Sequence, residues 1–186
     1  MASPILHPRA TDFAPDVYYV FHNAFAPNSS LNAGQAQNTK GAIGMNTAWT
    51  FSSSENWQLY FQQGRYFIRN YDYGGQWQLG LTEESPVVPK LLKRSGGLGQ
   101  QWTMERQDDG TYRFHNGLLG NTSALALAVR DNVQPGMQSA ASGSKWEIIV
   151  NLSAKAPKDP TMMQDVTDFE VCFLSLPSLL AILGAS

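Results

Sequence analysis

Two short motifs recur along this chain at almost the same spacing. The first has the form Tyr-x-(Phe or Ile)-x-Asn and begins at Tyr19, Tyr66 and Tyr112, which are 47 and 46 residues apart. The second is a tryptophan followed two residues later by an apolar residue, with intervals of 45 and 44. Its three copies start at Trp57, Trp102 and Trp146. Two different motifs that share one period indicate a repeat architecture, in which units too small to bury an apolar face alone share one core.

The segments between these motifs have the composition of short strands and turns. We count about four short strands in each unit and no convincing amphipathic helix before residue 153. Strands are predicted at 17–23, 47–51 and 57–61, turns at 26–30, 62–65 and 108–110, and a long polar loop or irregular hairpin at 32–46. A leucine follows each motif asparagine by eight or nine residues, and a turn of small residues precedes each tryptophan. This density of strands and turns predicts a closed all-β form.

The repeated residues are predicted to have structural roles. The three tryptophans and the three tyrosines are expected to supply matched pieces of the shared core. The asparagines that end the first motif are expected to bond the backbone of the turn that follows them. These asparagines are Asn23, Asn70 and Asn116.

Taken together, the motifs resemble the β-trefoil family, and within it the ricin-B-like lectins of the fungal and bacterial type. Gln100-Gln101-Trp102 carries the family's Gln-x-Trp element intact, whereas the other two units keep only the tryptophan. The resemblance covers residues 16–153, with repeats at about 16–61 (unit one), 62–107 (unit two) and 108–153 (unit three). It implies a β-trefoil with pseudo-threefold symmetry, in which six strands form a barrel and six form hairpins that close one end. Residues 1–15 are expected to be a tail or an arm along the edge of the fold.

Composition narrows the classes of partner. The chain has 186 residues, a net charge of −2 and a pI of about 5.9, so it offers no broad cationic field for nucleic acid. Its one cysteine, Cys172, excludes an intrachain disulfide. The first residues lack the pattern of a signal peptide, so we expect either a cytoplasmic protein or a secreted one whose presequence was removed. No apolar run reaches the roughly 18 residues needed to span a bilayer.

The resemblance also implies a sugar site in each unit. Such a site combines an acidic side chain just after the leucine, an aromatic ring that stacks on the sugar and an amide near the Gln-x-Trp element. The acidic position is occupied by Asn32, Gly80 and Ala126, so the aspartate is absent throughout. Unit three, which also has Ala128 and Met137, is expected to be empty.

Unit one keeps the most complete set of site residues. Asn32 both accepts and donates hydrogen bonds, Trp49 is placed to offer the ring, and Glu55 or Asn56 is placed to complete the polar contacts. In unit two, Gln100 of the Gln-x-Trp element is the matching amide. Trp49 also has an alternative structural role, packing as minor core beneath a loop.

Unit two contains an unusual aromatic loop at residues 71–77. Tyr71, Tyr73 and Trp77 flank Asp72 and a Gly-Gly pair. Clustered aromatic side chains on a surface often mark a contact site, so this loop is a second candidate for a stacking platform. The alternative is that Trp77, like Trp49, packs as minor core.

No residue pattern indicates catalysis. His22 and His115 occupy the same repeat position, where unit two has Arg69, and we expect them to point outward from their strands. No metal-binding motif is present, and neither a metal nor another cofactor is expected. Cys172 lies in an apolar run, where a thiol is usually buried and inert. We assign no catalytic residue, and an enzyme recruited through one degenerate pocket, with a histidine as base, is the least favoured interpretation.

The C-terminal extension, residues 154–186, lies beyond the third repeat. It comprises a polar linker at 155–160, a segment at 161–173 predicted as a short helix or strand, and an apolar run at 176–183. The extension either packs on the barrel or exposes an apolar patch for a protein partner, for self-association or for weak membrane contact.

The sequence therefore predicts a non-enzymatic β-trefoil lectin, or a module derived from one, with carbohydrate as its ligand. The alternative from another class is a protein–protein module, such as a trefoil protease inhibitor or scaffold. Such a module would use the loops at 32–46 and 83–99 together with the apolar tail.

Overall fold

Short antiparallel strands account for nearly all the regular structure. The computed structural model describes residues 13–34, 41–48, 50, 52–128, 134–139 and 142–171. Over these residues it has twelve strands, four short 3-10 helices and no α-helix. The strands are β1 Tyr19–Asn23, β2 Ala26–Asn32, β3 Gly44–Asn46, β4 Trp57–Gln62, β5 Arg65–Asn70, β6 Trp77–Thr82, β7 Ser85–Lys93, β8 Trp102–Arg106, β9 Tyr112–Asn116, β10 Ala124–Ala126, β11 Gly136–Gln138 and β12 Trp146–Val150. The 3-10 helices are Ser53–Glu55, Leu98–Gln100, Ser142–Ser144 and Pro160–Met163.

Six of the strands close into a barrel. Their order is β12-β9-β8-β5-β4-β1, and β12 pairs back onto β1. The other six form three antiparallel pairs, β2–β3, β6–β7 and β10–β11, one in each unit. This arrangement confirms the predicted all-β β-trefoil.

The barrel strands pair in the same register in all three units. In three strand pairs, a motif tryptophan lies opposite a motif asparagine: Trp57 with Asn70, Trp102 with Asn116, and Trp146 with Asn23. Each tryptophan also lies opposite the tyrosine of its own unit: Tyr19 with Trp57, Tyr66 with Trp102, and Tyr112 with Trp146. Each unit therefore ends in a strand that pairs with the first strand of the next unit.

The three tryptophans are buried at equivalent places in the core. Each has 0% exposure, and each donates its indole N–H to the carbonyl oxygen of the leucine that precedes it in its unit. The N···O distances are 2.9 Å to Leu31, 2.8 Å to Leu79 and 2.8 Å to Leu125. These hydrogen bonds join the barrel strand of each unit to its closing hairpin, and the burial of the indoles confirms the core role predicted for the tryptophans.

The motif asparagines bond their turns as predicted and make a second contact as well. Their Oδ1 atoms accept the N–H two residues later, from Phe25, Asp72 and Leu118, at 3.0 Å in each case. Their Nδ2 atoms donate to the carbonyls of Gly143, Ser54 and Gly99 at 2.8–2.9 Å. Since these carbonyls belong to the 3-10 helix of the preceding unit in the ring, the asparagines also join one unit to the next.

Phe13 closes the barrel at the end that carries the three tyrosines. Its ring meets Tyr19, Tyr66 and Tyr112 edge to face, with centroid distances of 5.3, 5.9 and 5.3 Å. Near-equal distances to three equivalent residues place Phe13 close to the pseudo-threefold axis. Phe13 therefore packs as part of the barrel, within the segment 1–15 that was predicted to be a tail or an arm along the edge of the fold.

Two local predictions in unit one are wrong. Residues 26–30, predicted as a turn, belong to β2, and the turn lies at 24–25. The strand predicted at 47–51 is displaced toward the N-terminus, because β3 is Gly44–Asn46 and residues 47–48 form a bend. Positions 49 and 51 lie outside the described residues. The polar sequence of β2 forms a strand because it pairs with β3, and pairing overrides local propensity.

The described part of the C-terminal extension lies along unit two. It contains the 3-10 helix Pro160–Met163, and Met162 and Val166 are buried. The side-chain amide of Gln62 bonds both backbone groups of Val166, accepting its N–H at 2.8 Å and donating to its carbonyl at 2.9 Å. No strand forms at 161–171, and the apolar run predicted at 176–183 lies outside the described residues.

Trp102→Phe is expected to cost at least about 1–3 kcal/mol of unfolding free energy, because it leaves the buried carbonyl of Leu79 without its donor and leaves a cavity where the indole packed. Urea unfolding at constant m-value measures this loss. Trp77→Phe, at a half-buried indole, is the matched control and is expected to cost less. A cost for W102F no larger than that for W77F would contradict the structural role of the indole hydrogen bond.

Candidate functional site

The side chain of Asn32 is engaged within its own unit. Its Nδ2 donates to Ser54 Oγ at 2.7 Å, and its Oδ1 accepts the N–H of Gly34 at 2.6 Å. Trp49, its predicted aromatic partner, lies outside the described residues. Asn56, the alternative polar residue, is buried. The structure therefore shows where the polar residues of the predicted unit-one site lie, whereas the predicted ring of Trp49 is outside the described residues.

Glu55 is buried in a dense set of hydrogen bonds rather than presented to solvent. It is 1% exposed. Its Oε2 accepts from Ser30 Oγ at 2.5 Å, and its Oε1 accepts from Asn46, Thr50 and Ser52 at 2.5–3.1 Å. Burial by itself would raise the pKa of Glu55, but these hydrogen bonds outweigh burial, and the pKa lies below its ordinary value. The carboxylate thus fixes the segment that leads from β3 to β4.

Gln100 has a comparable structural position in unit two. Its Nε2 donates to the carbonyl of Lys93 at 2.8 Å, and its Oε1 accepts the N–H of Ser95 at 2.9 Å. A side chain at Gly80, where the family has its acid, would bring Cβ within 2.8 Å of Gln100 Cγ. Gln100 also borders a cavity of about 230 Å³ whose lining includes Leu81, Glu83, Leu92 and Glu170.

The aromatic loop of unit two divides into a packed part and an exposed part. Tyr73 and Trp77 contact each other edge to face at 6.0 Å, and Tyr73 packs against the core. Tyr71 is 44% exposed and meets the buried ring of Tyr18 at 5.1 Å. The three predicted rings therefore do not form one platform, and Tyr71 is the ring that faces solvent.

Tyr71 borders a cavity of about 350 Å³ between the loop at 71–75 and the C-terminal extension. Its lining residues are Tyr18, Tyr71, Gly74, Lys155, Ala156, Lys158, Asp159 and Met162. The lining combines two aromatic rings with two ammonium groups and a carboxylate. Such a lining can bind a ligand that has a flat apolar face for stacking and a polar rim for hydrogen bonds.

The extension is fixed to this cavity by Asp159. Its carboxylate accepts from the N–H and hydroxyl of Thr161 at 2.9 and 2.7 Å and from the N–H of Gly75 at 3.1 Å. The Thr161 hydroxyl and the Gly75 N–H hold the pKa of Asp159 below its ordinary value. Burial, together with the nearby Tyr71 and Asp159, raises the pKa of Tyr18 to about 12. Asp159 is thus an anion and Tyr18 a neutral phenol at physiological pH.

Tyr18 and Asp159 were not among the predicted site residues. A weak signal existed for each in the sequence. Tyr18 occupies the position before the first tyrosine motif, where the other units have Arg65 and Thr111. Asp159 precedes Pro160, and aspartate followed by proline is a common start for a helical turn.

His22 and His115 were expected to point outward from their strands, and the structure shows that these outward positions are nevertheless buried. Both are buried, and Arg69, at the same repeat position, has 0% exposure. His115 contacts the carbonyl of Ser123 through Nδ1 at 2.8 Å and Glu105 Oε2 through Nε2 at 3.1 Å. These positions do face away from the core, but other segments of the chain cover them. His7 and Cys172 lie outside the described residues.

The described residues contain neither a metal-binding cluster nor a membrane-spanning helix. No group of three or more His, Cys, Asp or Glu side chains in this part of the chain is placed to hold a metal ion. None of its helical turns has the length and apolar character that a membrane-spanning helix requires.

Comparison with solved structures identifies the fold. No family model matches the sequence, and no curated protein matches it significantly. A mosquitocidal holotoxin is similar over 76% of this chain, with 19% identity and a TM-score of 0.65, but the match spans only 18% of the toxin. The designed threefold-symmetric protein ThreeFoil matches 71% of this chain over 97% of its own length, with 18% identity and a TM-score of 0.61.

A third similar structure is the β-trefoil lectin of the Vibrio vulnificus hemolysin/cytolysin, solved with N-acetyl-D-lactosamine bound. The match covers 73% of this chain and 95% of the lectin, with 13% identity and a TM-score of 0.56. These likenesses confirm that the chain has the β-trefoil fold found in such lectins.

The hydrogen bonds to Glu55 predict a dependence of stability on pH. Because the folded-state pKa of Glu55 is depressed, its contribution is fully present above the ordinary value of 4.5 and is lost as pH falls through the folded-state value. Glu55→Gln should be less stable than wild type at about pH 6, and the difference should shrink toward about pH 3. Urea unfolding measures this difference, with Glu83→Gln, at an exposed carboxylate, as control. A difference that stays constant with pH would contradict the role given to Glu55.

Proposed function

We propose that this protein is a non-enzymatic, ricin-B-like carbohydrate-binding module and that the cavity beside Tyr71 holds the sugar. The observation that carries the proposal is an exposed tyrosine ring in the lining of a 350 Å³ cavity that is also lined by Lys158 and Asp159. A pyranose presents C–H groups on its face and hydroxyls at its rim. The Tyr71 ring suits the face, and the charged groups suit the rim.

The second wall offers both hydrogen-bond donors and acceptors. Lys155 and Lys158 supply ammonium donors. Asp159 accepts three hydrogen bonds within the protein, and its two oxygens offer about four lone-pair sites. One acceptor site therefore remains for a ligand hydroxyl. The volume lies at the lower end of the range for small-molecule sites, which suits one or two sugar residues.

The fold comparison supports carbohydrate as the ligand class. The Vibrio vulnificus lectin, similar in fold, was solved with a disaccharide. At 13% identity this likeness is one of fold, so the argument for a sugar rests on the Tyr71 cavity itself.

The other predicted residues are given supporting or secondary roles in the proposal. Tyr73 and Trp77 would hold the loop that carries Tyr71. Asn32 and Trp49 would form a second sugar position in unit one, with the segment held by Glu55 as its floor. Gln100 would form the floor of a sugar position in the 230 Å³ cavity of unit two, as the Glu55 segment would in unit one.

A protein–protein module is the second candidate. One observation favours it: the outer face of the barrel in unit three is open, whereas the equivalent face of unit two is covered by the chain's own extension.

Removing the ring of Tyr71 is expected to weaken sugar binding. A glycan array would select the best ligand, and calorimetric titration would then compare wild type with Tyr71→Ala. We expect a loss of about tenfold or more, as for truncation of a central aromatic contact. Tyr71→Phe, which keeps the ring, should retain affinity within about threefold.

Trp49→Ala separates the two proposed sugar positions. If Tyr71→Ala has no effect and Trp49→Ala abolishes binding, the ligand lies in unit one instead. Absence of any glycan bound by the wild-type protein would contradict the carbohydrate proposal as a whole.

A further inference from the structure

The strand pairs β4–β5 and β8–β9, two of the three that share one register, present equivalent outer faces. In both pairs a tryptophan lies opposite an asparagine, and the pairing continues from that point in the same register. The outward positions therefore correspond one to one. They are Gln58, Tyr60, Phe67 and Arg69 on β4–β5, and Thr103, Glu105, Arg113 and His115 on β8–β9.

On β4–β5, this face binds a peptide segment, the chain's own extension. The Arg69 guanidinium donates to the carbonyls of Met162, Thr161 and Gln164, the last at 2.9 Å. The hydroxyl of Tyr60 donates to the carboxylate of Asp165 at 2.7 Å. Most of these bonds reach main-chain carbonyls, so the face recognises a peptide backbone more than particular side chains.

Apolar and electrostatic contacts complete the docking of the extension. The rings of Phe67 and Phe169 lie 6.1 Å apart, edge to face. Arg94 adds hydrogen bonds to the carbonyls of Thr161 and Gln164 at 2.9 and 2.7 Å. Burial and the neighbouring Arg94 lower the pKa of Arg69 to about 10, so the Arg69 guanidinium remains charged at neutral pH.

The equivalent face on β8–β9 is open. It forms a cavity of about 670 Å³, which we call the unit-three groove, bordered by Thr103, Glu105, Arg113, His115 and Arg65, and closed on one side by residues 121–124. The segment at 121–124 is fixed, because the carbonyl of Ser123 contacts His115. The groove is thus a built surface on rigid strands.

The charges of the unit-three groove favour an anion. Its lining has two guanidiniums, Arg65 and Arg113, and one carboxylate, Glu105, which is hydrogen-bonded to His115. The fixed charge of the lining is therefore net positive, and a guanidinium can bind a carboxylate through two parallel hydrogen bonds.

The same lining is poorly suited to a sugar. No Phe, Tyr or Trp is among the residues that border the groove in the described part of the chain. A stacking surface is therefore missing, whereas hydrogen-bonding side chains are plentiful.

We propose that the unit-three groove binds an acidic peptide segment of a partner protein, seated as the extension is seated on unit two. A carboxylate of the peptide lies against Arg65 and Arg113, and its main-chain groups bond the hydroxyl and amide side chains at the rim. The proposal does not depend on the sugar site, which lies on a different face.

The test uses the full chain and an array of 13-residue peptides carrying zero to four Asp or Glu residues. One member has the sequence of residues 159–171, which contains four acids. We expect acidic members to bind, and a titration by fluorescence anisotropy to show at least tenfold weaker binding for Arg113→Gln. Replacing the peptide acids by Asn and Gln should have the same effect, and binding should weaken with salt.

Arg106→Gln is the matched control, because Arg106 is an exposed arginine on β8 outside the groove. It should change affinity less than about twofold. If Arg113→Gln is too unstable to measure, Arg65→Gln replaces it with the same expected loss.

Three results would overturn the proposal. The first is that no acidic peptide binds the wild-type chain. The second is that binding increases in Arg94→Gln, which would show that the peptide replaces the extension on unit two. The third is that only a sialylated oligosaccharide binds with dependence on Arg113, which would assign the groove to an acidic glycan.

Discussion

The hydrogen bond from each motif tryptophan to the carbonyl of a leucine is the interaction on which the rest of the architecture depends. A buried indole N–H must find an acceptor, and in this chain the acceptor lies in the closing hairpin of the same unit. Barrel and hairpins are therefore joined at three equivalent points. The asparagines add the connection between units, because each bonds its own turn and the 3-10 helix of its neighbour.

A symmetric scaffold carries asymmetric faces in this protein. One repeat position is occupied by His22, Arg69 and His115, and all three are buried. Arg69 and His115 are contacted by different segments of the chain. The extension covers Arg69, whereas the segment at 121–124 contacts His115 and leaves an open groove beside it. Differences between units, rather than the shared features, create the candidate binding surfaces.

Polar residues that match a binding motif have two possible uses, and the motif does not distinguish them. Glu55 and Gln100 fit the expected positions for ligand contacts, yet both are buried in hydrogen bonds to their own unit. Tyr71 has less resemblance to the family pattern, but its ring is exposed beside a cavity. Whether a side chain faces a ligand or a backbone depends on segments distant in sequence, which supply or occupy its partners.

The sequence alone determined the threefold β-trefoil and the residues that build its core. This was possible because the same local contacts occur three times, so the residues that make them recur with one period. Only the tertiary structure showed that Phe13 lies close to the pseudo-threefold axis. It also showed that Tyr18 and Asp159 lie beside Tyr71 and that the extension contacts Arg69. Each of these contacts occurs once and joins segments far apart in the chain, so no repetition in the sequence indicates it.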